Sequence, residues 1–122
     1  MYVLIVESNA ALAHLWSRHL QRLHASVSVA RDQEAAITQI QKTSPDVIVL
    51  DLVLQGGSAI AVADYASYRR PEAKVVFVTN TTFFSDGSIF NHIPNACAYL
   101  GSSAPPEDLA AIVDHYGREG RA

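Results

Sequence analysis

The chain has 122 residues, which is long enough for one domain that buries its own core. Apolar residues make up 49% of the chain and charged residues 17%, and this balance excludes a disordered chain. The formal net charge is −3 and no cluster of Lys and Arg is present, so the concentrated positive charge that nucleic acid requires is missing. We therefore expect no nucleic-acid binding by this chain.

The first half of the chain alternates between short apolar runs and helical patterns. A first strand is predicted for YVLIV, and apolar residues spaced i, i+3 and i+4 between positions 12 and 23 predict a helix after it. The run SVSVA predicts a second strand, followed by a helix that Asp32 caps and that Ala36, Ile37 and Ile40 line. The next run, DVIVL, is continuously apolar, which is typical of a strand covered on both faces of a parallel sheet.

The second half continues the alternation. A helix with small apolar residues is predicted around 60–66, and KVVFVT and CAYL are the last two strands. Between those strands, residues 83–93 predict a short helix, and PPEDLAAIVDHYG predicts a final helix that ends at Gly117. We assign residues 1–118 to one domain and 119–122 to a short polar tail.

The sequence indicates neither a membrane-spanning segment nor an internal disulfide. No apolar stretch is long enough to cross a bilayer, and YVLIV runs into an acid rather than a signal-peptide cleavage site. Cys97 is the single cysteine, so it forms no internal disulfide, and its position in a strand predicts an inert buried thiol. These features predict a cytoplasmic protein without a membrane segment.

The order of elements predicts a doubly wound α/β fold. We expect a flavodoxin-like five-stranded parallel sheet in the order 2-1-3-4-5, with helices on both faces. In such a sheet the carboxyl ends of the strands collect along one edge, where ligands bind. Glu7, Asp51 and Thr79 end the first, third and fourth strands, so two carboxylates and a hydroxyl are predicted around one pocket.

Each of these residues also has a structural explanation. Asp51 would serve equally as a hydrogen-bonded strand cap, and Glu7 as compensation for a helix dipole. A histidine metal site is disfavoured, because His14, His19 and His24 step by five residues and lie about 140° apart on a helix. Trp16, Ile37 and Ile112 are interpreted as core residues.

The arrangement resembles the receiver domain of two-component response regulators. Four segments carry the resemblance: VLIVESNAALA, PDVIVLDLVLQGGSAI, VVFVTN and ACAYLGSSAPPEDL. It implies that Asp51 accepts a phosphoryl group from a histidine kinase or a phosphotransfer protein. It also implies a metal site formed by Glu7, Ser8, Asp51 and Val53.

The resemblance further assigns Thr79 to contact with the phosphoryl group and Tyr99 to an aromatic switch. Three positions depart from the family pattern. Ser8 stands where the family has a second acid, Ser102 where it has a lysine, and Ser103 where it has a proline after a cis bond. Since Mg²⁺ prefers charged oxygen ligands, we expect it to bind weakly or not at all.

Three classes of function remain open. The chain is a receiver phosphorylated on Asp51, a pseudo-receiver that binds a partner without phosphate, or an unrelated flavodoxin-like enzyme or nucleotide binder. The third is weakest, because ESNAALA lacks the glycines that would cradle a cofactor phosphate.

We favour an atypical stand-alone receiver with impaired phosphorylation, which is not an enzyme. No output domain follows in the sequence, so the output is expected to be binding to a downstream protein, with a homodimer left open. Phe83, Phe84 and Tyr99 are predicted to form the partner face, because large apolar side chains near a short helix have few core positions to fill.

Overall fold

A computed structural model describes residues 1–79 and 93–119. The predicted short helix and the partner-face residues Phe83 and Phe84 lie outside the described residues. The described strands and helices alternate along the chain and have the following bounds: β1 Tyr2–Val6, α1 Ala10–Gln21, β2 Ser26–Ala30, α2 Gln33–Lys42, β3 Val47–Asp51, α3 Ala59–Arg69, β4 Lys74–Thr79, β5 Ala96–Gly101 and α4 Pro106–Glu119. The connections used below are the β1–α1 loop (residues 7–9), the β2–α2 loop (residues 31–32) and the β3–α3 loop (residues 52–58).

The five strands form one parallel sheet in the order β2-β1-β3-β4-β5, which confirms the predicted flavodoxin-like fold. The central strands are buried along almost their whole length because helices cover both faces of the sheet. One apolar cluster joins the sheet to α2 and α3, and a second joins it to α1 and α4. Trp16 lies in the second cluster, as predicted, whereas Ile37 and Ile112 are half-buried rather than core residues.

Side chains in the loops cap the helices that follow the strands. Asn9 accepts a hydrogen bond from the backbone of Leu12 at 3.1 Å, and Asp32 accepts one from Ala35 at 2.8 Å, as predicted for α2. Ser58 caps α3 in the same way through Ala61 at 3.1 Å. Each of these three helices therefore begins at the residue directly after its capping side chain.

The end of α4 differs from the prediction. The helix continues through Gly117 to Glu119, two residues beyond the predicted stop. A methyl group on Gly117 would collide with the thioether of Met1, so this glycine allows close packing of the chain's first residue against the helix. Cys97 is half-buried rather than buried, with its sulfur 3.5 Å from the carbonyl of Val75. In the part of the chain that the structure describes, no helix is long and apolar enough to cross a membrane.

Candidate functional site

Three predicted site residues meet at the carboxyl edge of the sheet. The backbone N–H of Glu7, directly after β1, donates to the carbonyl of Ala30 at 3.0 Å. Asp51, the last residue of β3, pairs in register with Val78, and Thr79 ends β4. Because β1 and β4 flank β3, the strands that carry Glu7 and Thr79 lie on either side of the strand that carries Asp51.

A pocket of about 250 Å³ opens at this edge. The residues that line it come from the end of β3, from the loops after β1, β3 and β5, and from the start of α1: Glu7, Ser8, Asn9, Leu12, Asp51, Val53, Gln55 and Ser102. Five of the predicted site residues are among them, whereas Thr79 and Tyr99 are not. A groove of about 460 Å³ along α2 is larger, but of the described residues that line it only Glu34 is ionisable, so the chemistry is concentrated in the smaller pocket.

The Glu7 carboxyl group is the most buried ionisable group in the pocket. Its side chain is 2% exposed, and its Oε2 atom has no hydrogen-bond partner among the described residues. Burial, a hydrogen bond with Asp51 and the negative charge of Asp51 together raise the pKa of Glu7 to about 8, against weaker opposing hydrogen bonds from the backbone of Asn9 and Ser8. A hydrogen bond between two carboxyl groups needs one proton, and near neutral pH Glu7 holds it.

The Asp51 carboxylate is half-buried and is oriented by its own loop. Its Oδ1 atom accepts a hydrogen bond from the backbone N–H of Val53 at 2.8 Å. The Val53 side chain is 59% exposed beside it, so an apolar group stands at the mouth of the pocket. The backbone N–H of Leu52 donates to Val78 at 2.8 Å and fixes the start of this loop on β4. Asp51 is therefore held in place while its pocket stays open to solvent.

The Ser8 hydroxyl is engaged with two other loops. It donates to the carbonyl of Arg31 at 3.0 Å, with the carbonyl of Gln55 at a longer 3.4 Å, and it accepts from the backbone N–H of Gln55 at 2.9 Å. The guanidinium of Arg31 donates in return to the Ser8 carbonyl from Nε and Nη2, at 3.3 and 3.2 Å. No local pattern in the sequence predicts this network, because it depends on which loops meet in space.

The residues at the ends of β4 and β5 complete the edge. Thr79 is 3% exposed, and its carbonyl accepts a hydrogen bond from the backbone N–H of Ser102 at 2.9 Å. Ser102 lines the pocket at the position where the family pattern has a lysine, and the described lining residues include neither Lys nor Arg. Tyr99 is 42% exposed in β5, beside Phe77 of β4. The peptide bonds of the described residues, including the bond before Ser103, are all trans.

A parallel sheet in this strand order, with two acids at its carboxyl edge, is typical of a signalling receiver module. The family model of the response regulator receiver domain matches residues 3–88, so the chain belongs to that family. The prediction of a receiver domain of two-component response regulators is thereby confirmed, and the interpretation as an unrelated flavodoxin-like protein is set aside.

The chain is similar to several known response regulators. It is 27% identical over 119 residues to the photosynthetic apparatus regulatory protein RegA of Rhodobacter capsulatus, in a match that covers 85% of this chain and 64% of that protein. It therefore spans less than two thirds of this curated relative.

Solved structures agree with the fold. A CheY-like response regulator receiver domain protein from Methanospirillum hungatei JF-1 superposes with a TM-score of 0.89 at 19% identity, covering 98% of this chain and 95% of the other. A response regulator protein from Burkholderia pseudomallei, whose structure contains a phosphorylated aspartic acid, a calcium ion and citrate, superposes with a TM-score of 0.83 at 20% identity, covering 98% and 70%.

Proposed function

We propose that this chain is an atypical receiver whose Asp51 accepts a phosphoryl group slowly from a phosphohistidine of a histidine kinase or phosphotransfer protein. The observation that carries the proposal is the position of Asp51, oriented by Val53 and in contact with Glu7 at the open pocket. The similar Burkholderia protein contains a phosphorylated aspartic acid, which supports assigning the same chemistry to this family member.

The transfer needs one nucleophile and one leaving group. A carboxylate oxygen of Asp51 attacks phosphorus, the P–N bond to the donor imidazole breaks, and the imidazole leaves with the bonding electrons and takes up a proton. Glu7 limits repulsion in the pocket, because its proton leaves only one of the two carboxyl groups charged. The backbone N–H of Val53 holds one oxygen of Asp51, which orients the other.

The donor atoms fit a weak Mg²⁺ site. Two carboxyl groups supply the hard oxygens that Mg²⁺ prefers, and the Oε2 atom of Glu7 is buried without a hydrogen-bond partner among the described residues. Among the described residues, however, no three His, Cys, Asp or Glu side chains are grouped as ligands, and the hydroxyl of Ser8 already has its partners. When bound, Mg²⁺ would neutralise charge on the phosphoryl oxygens, with Glu7 and Asp51 holding it after Glu7 loses its proton.

The test is direct phosphorylation of the purified chain. Incubation with acetyl phosphate and Mg²⁺ is expected to add the mass of one phosphoryl group, as an acid-stable and base-labile adduct on Asp51. Asp51→Asn should abolish the mass gain, whereas Asp64→Asn, which removes an exposed acid on α3, should leave it unchanged. A gain that persists in Asp51→Asn, or none in the wild type, would contradict the proposal.

The second candidate is a pseudo-receiver that binds its partner without phosphate. The observation that favours it is the pocket lining itself, in which Ser8 bridges loops and Ser102 brings no charge to a phosphoryl group. In either case the output is binding to another cytoplasmic protein rather than catalysis. Equal partner binding by the wild type and by Asp51→Ala would select the pseudo-receiver.

A further inference from the structure

The Ser8 hydroxyl uses its hydrogen-bonding capacity in two directions at once. A hydroxyl has one proton to donate and two lone pairs that accept. Its proton goes to the carbonyl of Arg31 at 3.0 Å, and one lone pair receives the backbone N–H of Gln55 at 2.9 Å. Ser8 therefore links the β2–α2 loop to the β3–α3 loop across the β1–α1 loop.

The β3–α3 loop is the segment that benefits from this link. Gly56 and Gly57 both have positive φ angles, of 76° and 132°, so the loop makes a turn there. Because glycine has no side chain, the unfolded chain has many alternative conformations at these two positions. Gln33 holds the same turn from its far side, donating its backbone N–H to Gly56 at 3.2 Å and accepting from Ser58 at 2.8 Å. Asp51 precedes this loop and accepts a hydrogen bond from its second residue, Val53, so the loop supplies a contact that orients the carboxylate.

A carboxylate at position 8 would not make the same link. It accepts hydrogen bonds but donates none, so the carbonyl of Arg31 would lose its donor and face a negative charge. A serine at this position instead satisfies both loops without a counter-ion. The residue that removes a charged metal ligand thus adds a contact that orders the loop.

We infer that Ser8 is a positioning residue that holds the β3–α3 loop, and through it the Asp51 carboxylate, in the orientation for phosphoryl transfer, and that this holding of the loop needs no metal. This inference deepens the proposed function and rests on it for the reaction, but not for the ordering of the loop. Ser8 then has a role of its own in the site and is more than the absence of the family's second acid.

The experiment measures amide hydrogen exchange by NMR on the full chain in metal-free buffer. In Ser8→Ala the amide of Gln55 is expected to exchange about tenfold faster than in the wild type, because its acceptor is gone. Ser8→Thr keeps the hydroxyl and should restore protection. Ser28→Ala removes the hydroxyl that accepts from Tyr2 at 2.8 Å on β2 and should leave Gln55 unchanged. The amide of Ala35, bonded to Asp32, serves as the internal reference for an intact fold.

A second readout separates positioning from stability. The rate of phosphorylation by acetyl phosphate at saturating donor should fall in Ser8→Ala and recover in Ser8→Thr, in step with the protection of Gln55. Unchanged exchange at Gln55 in Ser8→Ala would overturn the inference, and so would faster exchange with an unchanged rate. If the wild type is not phosphorylated at all, the proposed function fails, and the exchange of Gln55 alone decides whether Ser8 holds the loop.

Discussion

At the scale of single residues, the site is governed by one acid that the fold keeps neutral. Glu7 follows a fully buried strand and is itself buried, while Asp51 lies beside it with access to solvent. Two like charges this close in a partly buried pocket would repel, so the less solvated group keeps its proton. The order of the strands brings the two acids together, and their different burial assigns the proton to Glu7.

The first prediction follows from the raised pKa of Glu7. In the unfolded chain this group has its ordinary pKa of 4.5, and in the folded chain its pKa is about 8. The folded state therefore keeps a proton that the unfolded state releases. The stabilisation that this proton gives the folded state is complete below pH 4.5 and is lost as the pH rises through 8. Over that range the free energy of unfolding falls by at most about 1.4 kcal/mol per pH unit.

Glu7→Gln should flatten this dependence, because an amide does not titrate. The measurement is the free energy of unfolding by urea in metal-free buffer, from about pH 5 to about pH 9. Glu72→Gln, which changes an exposed acid, is the matched control and should keep the wild-type slope. The same slope in Glu7→Gln and the wild type would show that another group causes the dependence.

At the scale of elements, the β3–α3 loop shows what local sequence does and does not determine. The apolar run of β3 predicted a buried strand that ends at Asp51. The caps Asp32 and Ser58 are likewise local, since a side chain bonds a backbone N–H three residues ahead. The hydrogen bonds from Ser8 and Gln33 join loops distant in sequence, so no local pattern predicted them.

The second prediction concerns Gly57. Its φ angle of 132° is one that residues with a side chain rarely adopt, and an added methyl group would collide with the side chain of Gln33. Gly57→Ala should therefore lower the free energy of unfolding by about 1–3 kcal/mol. Gly101→Ala is the control, since a methyl group there would lie 3.9 Å from the nearest atom, in ordinary contact. Thermal unfolding of both variants tests this, and equal melting temperatures would show that the loop adapts without cost.

At the scale of the whole molecule, the fold was predictable because buried parallel strands are continuously apolar and alternate with amphipathic helices. The location of the candidate site followed from that topology, since the carboxyl ends of parallel strands share one edge. The predicted end of α4 was wrong because Gly117 allows the helix to pack against Met1, a contact between the two ends of the described chain. The roles of Thr79 and Tyr99 stay predictions, as they depend on a conformational response to phosphate.

The last prediction concerns that response. In this chain Ser102 lines the pocket and its backbone is bonded to Thr79 at the end of β4, but its side chain carries no charge to attract a phosphoryl group. A ligand shifts a conformational equilibrium only by its difference in affinity for the two states, so beryllofluoride bound at Asp51 should move the NMR signals of Tyr99 only slightly.

Ser102→Lys would place a cation at the pocket and add a charge-assisted hydrogen bond, which is worth about 1.5–3 kcal/mol. We expect beryllofluoride affinity to rise about tenfold and the shift of Tyr99 to grow with it. Ser103→Lys adds the same charge at the exposed neighbouring residue, which does not line the pocket, and should change neither quantity by more than about twofold. If both lysine variants respond alike, the gain is a general effect of charge. If Ser102→Lys binds beryllofluoride more tightly but the NMR signals of Tyr99 do not move, the missing lysine is not the reason that the pocket and β5 are uncoupled.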